Sequence, residues 1–381
     1  MIAVFDKNVL LNSLIPAMST VSGKNTIPTL EGIHLKCTLD NRCAIESYDL
    51  EKGLRTFCEC EVEREGSCII NAQRLLQIIK VMPEGPIKIT VESSHKTIIE
   101  SGLSYFDIKS LPGSDFPTLP LLDTDKGFMI SQRLFKKYIN RVLFAVKPDD
   151  ARPVFGGAYF QIRGDKIIVV ACDGNRLAYC ENDMEIKNKN RDGTSLNLNF
   201  IIPGKTLVEI LKLIKDVDDE IEIRVLRRYV VLRIGNITLF SKTIDADYID
   251  YARLLPKTSN IEFTLKGEEL RSALERSSLI VEDRLAGAIR SYVKFTIDEI
   301  LSISTMSPNG NVYDELQIDK IKGEALTIAF ECRILLESLR VCNNGEMKLS
   351  FNSPLAGVLI EPASDEDGKY MYFVMPKRII N

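Results

Sequence analysis

Tryptophan is absent from the sequence, and histidine occurs only twice, as His34 and His95. Two histidines leave few candidates for a catalytic base or for zinc ligands. The sequence also lacks the G-x-S-x-G nucleophile motif, the H-E-x-x-H zinc motif and the G-x-x-x-x-G-K-[ST] phosphate loop. We therefore predict a protein that is not an enzyme and that carries no catalytic residues, no metal and no cofactor.

Long hydrophobic runs are missing as well. No apolar stretch reaches the roughly 20 residues that a membrane-spanning helix needs. The first residues, MIAVFDKNVL, include the charged Asp6 and Lys7, and no cleavage site of small residues follows them. These absences predict a cytoplasmic protein with no membrane partner.

The nine cysteines do not have the spacing of a zinc site. Cys58 and Cys60 form a C-x-C, whereas structural zinc sites usually combine C-x2-C pairs with further cysteines or histidines. An odd number of cysteines in a cytoplasmic chain is typical of reduced thiols. We interpret these residues as reduced cysteines packed in strands.

What the sequence does contain is internal repetition. An amphipathic helix is predicted three times, with starts roughly 125–135 residues apart, at 7–18, 131–145 and 266–278. A second helix, followed by a turn and an alternating strand, recurs at 71–82, 205–216 and 331–340.

Between the two helices of each repeat the sequence alternates in apolar and polar residues, turns and alternates again, which is typical of a hairpin. These hairpins are predicted at 32–57, 157–180 and 292–316. We therefore predict an α+β protein built from three tandem domains, each with two helices and roughly eight strands. The predicted domains are 1–126, 127–256 and 257–381.

The charge is unevenly distributed along the chain. The net charge is −4, yet the six predicted helices contain 15 Lys and Arg against 7 Asp and Glu. In helix 131–145, Arg133, Lys137 and Arg141 follow the i, i+4, i+8 spacing of a single face. Considered by itself, this helix could equally be a surface helix whose basic face contacts only solvent. Basic helices in an acidic chain favour a polyanion partner, and the lack of interleaved aromatic residues favours phosphates over bases.

Five segments carry a resemblance to a known family: TIPTLEGIHL (26–35), LPGSDFPTLP (111–120), ACDGNRLA (171–178), DYARLLP (250–256) and YFVMPKRI (372–379). Together they make the chain resemble the bacterial DNA polymerase III beta subunit, the sliding clamp family, over essentially its whole length. The resemblance implies a head-to-tail homodimeric ring with helices lining the hole and sheets outside. Duplex DNA would pass through the ring without sequence-specific contacts, and the ring would tether the polymerase for processive synthesis.

The resemblance and the charge pattern together predict a set of DNA-contacting cations. They are Lys24, Arg74, Arg133, Lys137, Arg141, Lys147, Arg152 and Lys205. The partners that the resemblance implies are duplex DNA, the replicative polymerase subunit, the clamp loader and other proteins with a clamp-binding motif.

The resemblance also implies a groove between the second and third domains for short extended peptides with a Gln and a Leu-Phe anchor. Arg176 would hold the polar end of the peptide, and Met375–Pro376 would form the floor. The implied groove residues are Phe155, Cys172, Gly174, Asn175, Arg176, Leu177, Ile249, Arg253, Leu254, Pro354, Phe373, Val374, Met375, Pro376, Lys377, Arg378 and Ile379, with Ala356 nearby.

Three features depart from the family's pattern. Asn175 stands where the family often has His, Ile249 stands where Pro is common, and Ile380–Asn381 extend the usual end. The preferred peptide motif is therefore left open.

The resemblance places the joint between subunits at Leu103, Tyr105, Phe106 and Ile108, facing Leu279, Ile280 and the 309–315 segment. The residues at this joint are more apolar and less ionic than the family's usual pairing of basic with acidic residues.

Two other classes of function stay open from the residues alone. One is a repeat scaffold that binds protein peptides but not DNA, and the other is an enzyme that acts between repeats. The mass in solution distinguishes a ring from a monomeric scaffold, since a ring requires a dimer of the 42.9 kDa chain.

Overall fold

The structure, a computed structural model, describes every residue except 24–26, 121, 123, 125, 184–186, 189–193, 282–291, 308–309, 343–344, 365–367 and 380–381. Among the described residues one order of elements occurs three times: strand, helix, five strands, helix, three strands, with one further short strand at the end of the first repeat. This is the α+β fold of three repeats predicted from the sequence, with ten, nine and nine strands where about eight were expected in each. Lys24, Ile380 and Asn381 lie outside the described residues.

The first repeat begins with a strand that leads directly into a capped helix. Asp6 accepts hydrogen bonds from the N–H groups of Asn8 (2.8 Å) and Val9 (3.0 Å), which satisfies donors that the first helical turn leaves unpaired. The elements are β1 (Ile2–Asp6), α1 (Lys7–Ala17), β2 (Gly32–Thr38), β3 (Arg42–Tyr48), β4 (Lys52–Glu59), β5 (Glu61–Arg64), β6 (Gly66–Asn71), α2 (Ala72–Val81), β7 (Pro86–Val91), β8 (Lys96–Ser101), β9 (Ser104–Lys109) and the short β10 (Leu111–Pro112).

The second repeat has its apolar helix face where the spacing predicted it. Phe135, Tyr138 and Val142 of the first helix are buried, and the ring centroid of Phe135 lies 5.8 Å from that of Phe160. The elements are β11 (Gly127–Ser131), α3 (Gln132–Val142), β12 (Gly157–Arg163), β13 (Lys166–Cys172), β14 (Arg176–Asp183), β15 (Lys187–Asn188), β16 (Asn197–Pro203), α4 (Gly204–Leu213), β17 (Glu220–Val225), β18 (Tyr229–Ile234) and β19 (Ile237–Lys242).

The third repeat follows the same plan. Glu268 and Glu269 occupy the first turn of its first helix, where negative charge is favoured by the helix dipole. The elements are β20 (Ile261–Lys266), α5 (Gly267–Ser278), β21 (Val293–Ile297), β22 (Ile300–Ser307), β23 (Gly310–Gln317), β24 (Asp319–Lys322), β25 (Leu326–Phe330), α6 (Cys332–Arg340), β26 (Glu346–Phe351), β27 (Val358–Pro362) and β28 (Lys369–Val374).

The chain forms two compact units, and the central repeat is divided between them. The first unit comprises Met1–Arg133, Lys187–Thr194 and Val208–Thr243, and the second comprises Leu134–Ile186, Ser195–Leu207 and Ile244–Asn381. The three domain boundaries predicted from the sequence repeats therefore stay a prediction, since strands of consecutive repeats belong to common sheets.

Each unit contains a large and a small antiparallel sheet. In the first unit the large sheet has the order β10-β6-β2-β3-β4-β19-β18-β17-β11-β15, and the small one is β5-β1-β7-β8-β9. In the second unit the orders are β16-β12-β13-β14-β28-β27-β26-β20-β24 and β23-β22-β21-β25. The first and central repeats join at β4–β19, and the central and third repeats join at β14–β28. The last strand of the chain therefore lies in the middle of a sheet.

All nine cysteines are free and buried, as predicted, but three of them lie outside strands: Cys332 begins α6, Cys342 follows it, and Cys60 lies between β4 and β5. Within the described ranges, no group of three or more His, Cys, Asp or Glu is arranged to hold a metal ion. No helix in the described part of the chain is long and apolar enough to cross a membrane.

Candidate functional site

One face of the nine-stranded sheet carries an apolar cluster at the joint between β14 and β28. Leu177 lies opposite Phe373 in this joint, and Tyr179 lies opposite Met371. Because side chains alternate along a strand, these residues share one face of the sheet. We call the following cluster the groove: Phe155, Val170, Cys172, Leu177, Tyr179, Leu359 and Met371, with Val154, Ile168, Tyr248, Ile249, Tyr251, Leu255 and Phe373 packed against it.

The opposite face of the same strands is covered from the helix side. The Phe144 ring, which follows α3, contacts Tyr372 edge-on at 5.1 Å between ring centroids. Tyr372 and Val374 are both buried, and they alternate with Phe373. Val374 therefore faces away from the groove, which corrects its prediction as a groove residue.

The segment after β19 lies across the sheet and forms one side of the groove. The ring of Tyr248 stacks on that of Tyr159 at 4.8 Å, and its hydroxyl donates to the Val170 carbonyl at 3.3 Å. Burial raises the pKa of Tyr248 well above its ordinary range, so the hydroxyl remains a donor at neutral pH. This anchoring places Ile249 against the cluster, whereas the side chains at 253 and 254 are exposed at its edge.

A tight turn between β13 and β14 forms another edge of the groove. Asp173 accepts from the N–H groups of Asn175 (2.8 Å) and Arg176 (3.0 Å), and Gly174 has a φ of 91°, which favours glycine. A Cβ atom at Gly174 would lie 3.0 Å from a guanidinium nitrogen of Arg152. The turn therefore depends on Gly174 for its conformation, and the end of the Arg152 side chain lies close to it.

Arg152 lies beside the groove. Its guanidinium carbon is 4.0 Å from the centroid of the Phe155 ring, and its Nε is 3.0 Å from the carboxylate of Asp150. Arg152 therefore lies at the edge of the groove, and its contact with DNA stays a prediction.

Arg176 is buried and held by two carboxylates. Its Nε lies 3.1 Å from Asp173, and its Nη1 lies 2.7 Å from Glu337 of α6. Burial alone raises the pKa of Glu337, but ion pairs with Arg333 and Arg176 outweigh that effect and hold it below its ordinary value. Arg176 is only 9% exposed. These contacts allow Arg176 to position the turn and Leu177. Its contact with a peptide stays a prediction.

The chain after β28 is held by backbone hydrogen bonds. The N–H of Met375 donates to the Asn175 carbonyl at 2.8 Å, and the N–H of Lys377 donates to the Ala329 carbonyl at 2.7 Å. The Nζ of Lys377 also lies 3.0 Å from Glu331. The tail thus contacts both the turn of the central repeat and the end of β25.

The predicted floor of the groove needs a correction. Met375 is 44% exposed and Pro376 is half-buried, so they form the edge of the groove, while Met371, Leu359 and Phe373 form its floor. The reason is strand pairing: Met371 and Phe373 lie within β28, whereas residues 375 and 376 follow it.

The remaining tail and loop residues lie at the surface. Pro354 is exposed, Ala356 is half-buried, and Arg378 and Ile379 are exposed. A Cβ atom at Gly357 would lie 2.6 Å from the Phe373 ring, so the 354–357 loop approaches the floor closely.

Several groove residues were missed by sequence reasoning although a local signal was present. Three of them lie two residues along a strand from a predicted groove residue: Val170 from Cys172, Tyr179 from Leu177 and Met371 from Phe373. Because side chains two residues apart in a strand share a face, the sequence alone could have predicted them. Leu359 comes from β27, whose position beside β28 depends on the tertiary structure.

Of the predicted DNA-contacting cations that the structure describes, five lie on helices and two, Lys147 and Arg152, lie in the segment after α3. Arg74 of α2, Arg133 of α3 and Lys205 of α4 are exposed, as is Lys147, and Lys137 is half-buried. Arg133 is near Asp216 (3.2 Å) and Asp218 (3.5 Å), and Lys147 is near Asp150 (3.0 Å).

Arg141 is the exception among these cations. It is 5% exposed, and its guanidinium lies 4.3 Å from the centroid of the Tyr370 ring. A buried guanidinium stacked on a ring does not reach a DNA phosphate, so this prediction is wrong for Arg141.

Two sheet edges expose apolar side chains. β9 is an edge strand of the small sheet in the first unit, where Leu103, Tyr105 and Phe106 are exposed and Ile108 is half-buried. β23 is an edge strand of the small sheet in the second unit; near it, Leu279 is exposed and Ile280 is half-buried. Unpaired strand edges with apolar side chains are sites where another chain can add.

Three family models match consecutive parts of the chain. They are the N-terminal domain of the DNA polymerase III beta subunit over residues 1–120, its central domain over 129–250 and its C-terminal domain over 252–378.

Relatives and solved structures match over nearly the full length. The chain is 27% identical to the beta sliding clamp of Bacillus subtilis over 369 residues, covering 94% of this chain and 95% of the relative. It is 27% identical to that of Halalkalibacterium halodurans over 379 residues, covering 97% and 98%. The crystal structure of the DNA polymerase sliding clamp from Bacillus subtilis matches with a TM-score of 0.92 at 26% identity, and that of a sliding clamp from Pseudomonas aeruginosa bound to griselimycin with 0.88 at 26%; both cover 100% of each chain.

Proposed function

The chain belongs to the DNA polymerase III beta subunit family, the bacterial sliding clamps, and from this premise we propose that two copies close into a ring around duplex DNA. The family consists of processivity subunits without catalytic activity, and the chain is therefore a sliding clamp rather than an enzyme. The ring, its DNA contacts and its peptide groove are proposals for this chain. We place it in the cytoplasm, where the replication machinery works.

The observation that best supports a ring is the pair of apolar edge strands. β9 and β23 each pair with a single neighbour, and they belong to different units of the chain. A head-to-tail contact between β9 of one copy and β23 of the next would cover both edges, and two such contacts close a two-fold ring. Leu103 and Phe106 on one side and Leu279 and Ile280 on the other would form its apolar part.

The charge of the helices supports DNA as the molecule inside the ring. Arg74, Arg133, Lys137 and Lys205 would contact phosphates, so binding would be salt-sensitive and indifferent to sequence. A closed ring retains DNA by topology, which is compatible with the net charge of −4.

The groove supports a role as a docking site for partner proteins. It combines a large apolar floor with a few polar groups at its edge, which is typical of sites for short ligands. The replicative polymerase, the clamp loader and other motif-bearing proteins would insert apolar anchors against Leu177, Phe155 and Met371.

Retention on circular and on linear DNA tests the ring. We expect protein loaded on a circular duplex to stay bound at a salt concentration that removes phosphate contacts, and to be lost once the circle is cut. Loss at the same rate from both forms would contradict the ring and would favour the alternative, a repeat scaffold that binds peptides but not DNA.

A further inference from the structure

The first unit contains a cleft in the position that corresponds to the groove. In the groove, Leu177 of β14 lies opposite Phe373 of β28, and Leu359 of β27 lies opposite Phe373 on the other side. The joint of β4 with β19 repeats this arrangement, with Gly53 opposite Phe240 and Val231 opposite Phe240. The two joints thus share strand order and register.

The cleft has the volume and the floor of a ligand site. It encloses about 450 Å³ and is lined by Leu119, Leu122, Val231 and Phe240 among its apolar residues. A Cβ atom at Gly53 would lie 2.4 Å from the Phe240 ring, so the ring extends over β4 where the groove has the side chain of Leu177.

A row of charged residues crosses the sheet at this cleft and distinguishes it from the groove. Directly paired positions on β3, β4, β19, β18 and β17 carry, in this order, Glu46, Arg55, Thr238, Arg233 and Glu222. Because paired positions share a face, the two arginines flank Thr238 and are separated by two strand spacings, about 10 Å. Among the described residues, which leave out 121, 123 and 125 beside Leu122, Arg55, Thr238 and Arg233 line the cleft and no acidic residue does.

Both arginines are held in place by carboxylates outside the cleft. The Nε of Arg55 lies 2.5 Å from Glu46, whose other oxygen is 2.9 Å from His34. Burial alone raises the pKa of Glu46, but the hydrogen bond from His34 and the charge of Arg55 outweigh it and lower the pKa.

At the other end of the row, Arg233 is also held by a carboxylate that a second basic residue contacts. Nη1 of Arg233 lies 3.1 Å from Glu222, whose second oxygen is 2.9 Å from Arg224. Burial raises the pKa of Glu222, and the two arginines outweigh it, so this carboxylate is also ionised at neutral pH. Arg55 and Arg233 remain 42% and 46% exposed, and each guanidinium has five N–H donors.

We propose that this cleft, lined by Arg55, Arg233, Val231 and Phe240, binds a protein segment that carries an acidic side chain next to apolar side chains. The carboxylate would bind between the two arginines, and the apolar side chains would cover Val231 and Phe240. The apolar floor favours a peptide over nucleic acid, because phosphates and sugars gain little from contact with it.

The test uses a fluorescein-labelled peptide, Gly-Asp-Leu-Asp-Leu-Phe, and its matched form with Asn in place of each Asp. Binding is measured by fluorescence anisotropy on the full chain and on a chain that lacks Lys377–Asn381, in which the groove is incomplete. We expect the acidic peptide to bind both proteins, and the Asn peptide to bind about tenfold more weakly, because hydrogen bonds to a charged group are stronger than those to a neutral one; a tenfold change corresponds to about 1.4 kcal/mol. Binding should also weaken as salt increases.

The deciding variant is the double substitution Arg55→Gln and Arg233→Gln, made in the chain that lacks Lys377–Asn381 so that binding at the groove does not contribute. We expect it to weaken the acidic peptide about tenfold and to abolish the difference between the Asp and Asn peptides. Arg55→Lys with Arg233→Lys should restore part of the preference. The control, Arg227→Gln with Arg340→Gln, removes two exposed charges outside the cleft and should leave binding unchanged.

Three results would overturn the proposal. The first is equal affinity of the acidic peptide for the tail-deleted chain with and without Arg55→Gln/Arg233→Gln, and the second is loss of binding on tail deletion alone. The third is binding of a labelled oligonucleotide that Arg55→Gln/Arg233→Gln abolishes. The second result would place the peptide in the groove. The chain that lacks Lys377–Asn381 reports on the cleft without a complete groove. The test of the cleft therefore remains valid even if the groove proves not to bind peptides.

Discussion

Leu177 and Phe373 lie directly opposite each other in the antiparallel ladder that joins β14 to β28. Leu177 belongs to the central repeat and Phe373 to the third, so the floor of the groove forms only when the two repeats share a sheet. Phe373 is also covered by Leu359 from the neighbouring strand. The proposed docking site and the joint between repeats are therefore one structure.

Deletion of Lys377–Asn381 should abolish binding of a Gln- and Leu-Phe-containing peptide to the groove and leave assembly intact. The deletion removes the hydrogen bond of Lys377 to Ala329 and its ion pair with Glu331, which hold the edge of the groove at Met375 and Pro376. β28 ends at Val374, so the sheet keeps its last strand. Fluorescence anisotropy with a labelled Gln- and Leu-Phe-containing peptide measures the effect, and sedimentation checks the dimer. Equal affinity before and after deletion would show that the tail takes no part in binding.

Phe106→Asp should convert a dimer into soluble monomers. Phe106 lies on the β9 edge, and a carboxylate there would be buried without a partner in the proposed joint, which costs several kcal/mol. The matched control is Leu39→Asp, since Leu39 is an exposed apolar residue in the β2–β3 turn. Sedimentation equilibrium at micromolar concentration gives the mass of each. A wild-type protein that is already monomeric would rule out the ring.

Replacing basic residues of α3 with acidic ones should weaken DNA binding without affecting the folding of the protein. Arg133→Glu with Lys137→Glu should reduce loading and sliding, because acidic side chains would repel phosphates, and it should leave the dimer intact. Retention on circular DNA is the measurement. If this variant is retained and stimulates a polymerase as well as the wild type does, the helices do not face DNA.

Arg141→Gln should behave differently, because Arg141 is buried against Tyr370. We expect a loss of about 0.5–2 kcal/mol in the free energy of unfolding from the cation–π contact, with DNA retention unchanged in the folded fraction. Urea unfolding monitored by circular dichroism gives the stability. Unchanged stability together with lost retention would return Arg141 to the DNA-contacting set.

The Arg176–Glu337 pair should make the groove sensitive to acid. Burial raises the pKa of Glu337, but the ion pairs with Arg333 (2.9 Å) and Arg176 (2.7 Å) outweigh it and hold the pKa below its ordinary value of 4.5, so the unfolded chain binds the proton more tightly. The stabilisation is therefore complete above about pH 4.5 and is lost as the pH falls through the lower folded value. A double-mutant cycle with Arg176→Met and Glu337→Gln measures it. Each single change should cost up to about 3 kcal/mol at pH 7, the low end for a buried pair, since Glu337 is partly exposed.

The pH dependence of the unfolding free energy tests whether the ion pair of Glu337 causes the effect seen in the double-mutant cycle. The difference in unfolding free energy between the wild type and Glu337→Gln should shrink below pH 4.5, because protonated Glu337 no longer pairs with Arg176. A difference that stays constant between pH 7 and pH 3 would contradict the ion pair as its cause.

The sequence by itself determined the repeats and the positions of the helices, with their limits within about three residues. Predicted helices at 131–145 and 331–340 are observed at Gln132–Val142 and Cys332–Arg340. These features depend on spacing within one turn or one strand, and on local capping, so the information lies in adjacent residues.

The tertiary structure decided which residues the elements bring together. Arg141 has the same spacing as Arg133 along α3, yet Arg141 is buried because Tyr370, from the far end of the chain, lies beneath it. In the same way, Arg152 contacts the groove residue Phe155, and Met371 rather than Met375 forms the floor, because β28 pairs with β14 and β27. Strand pairing between distant segments has no local signature in the sequence, since it is set by how two repeats bury a common apolar surface.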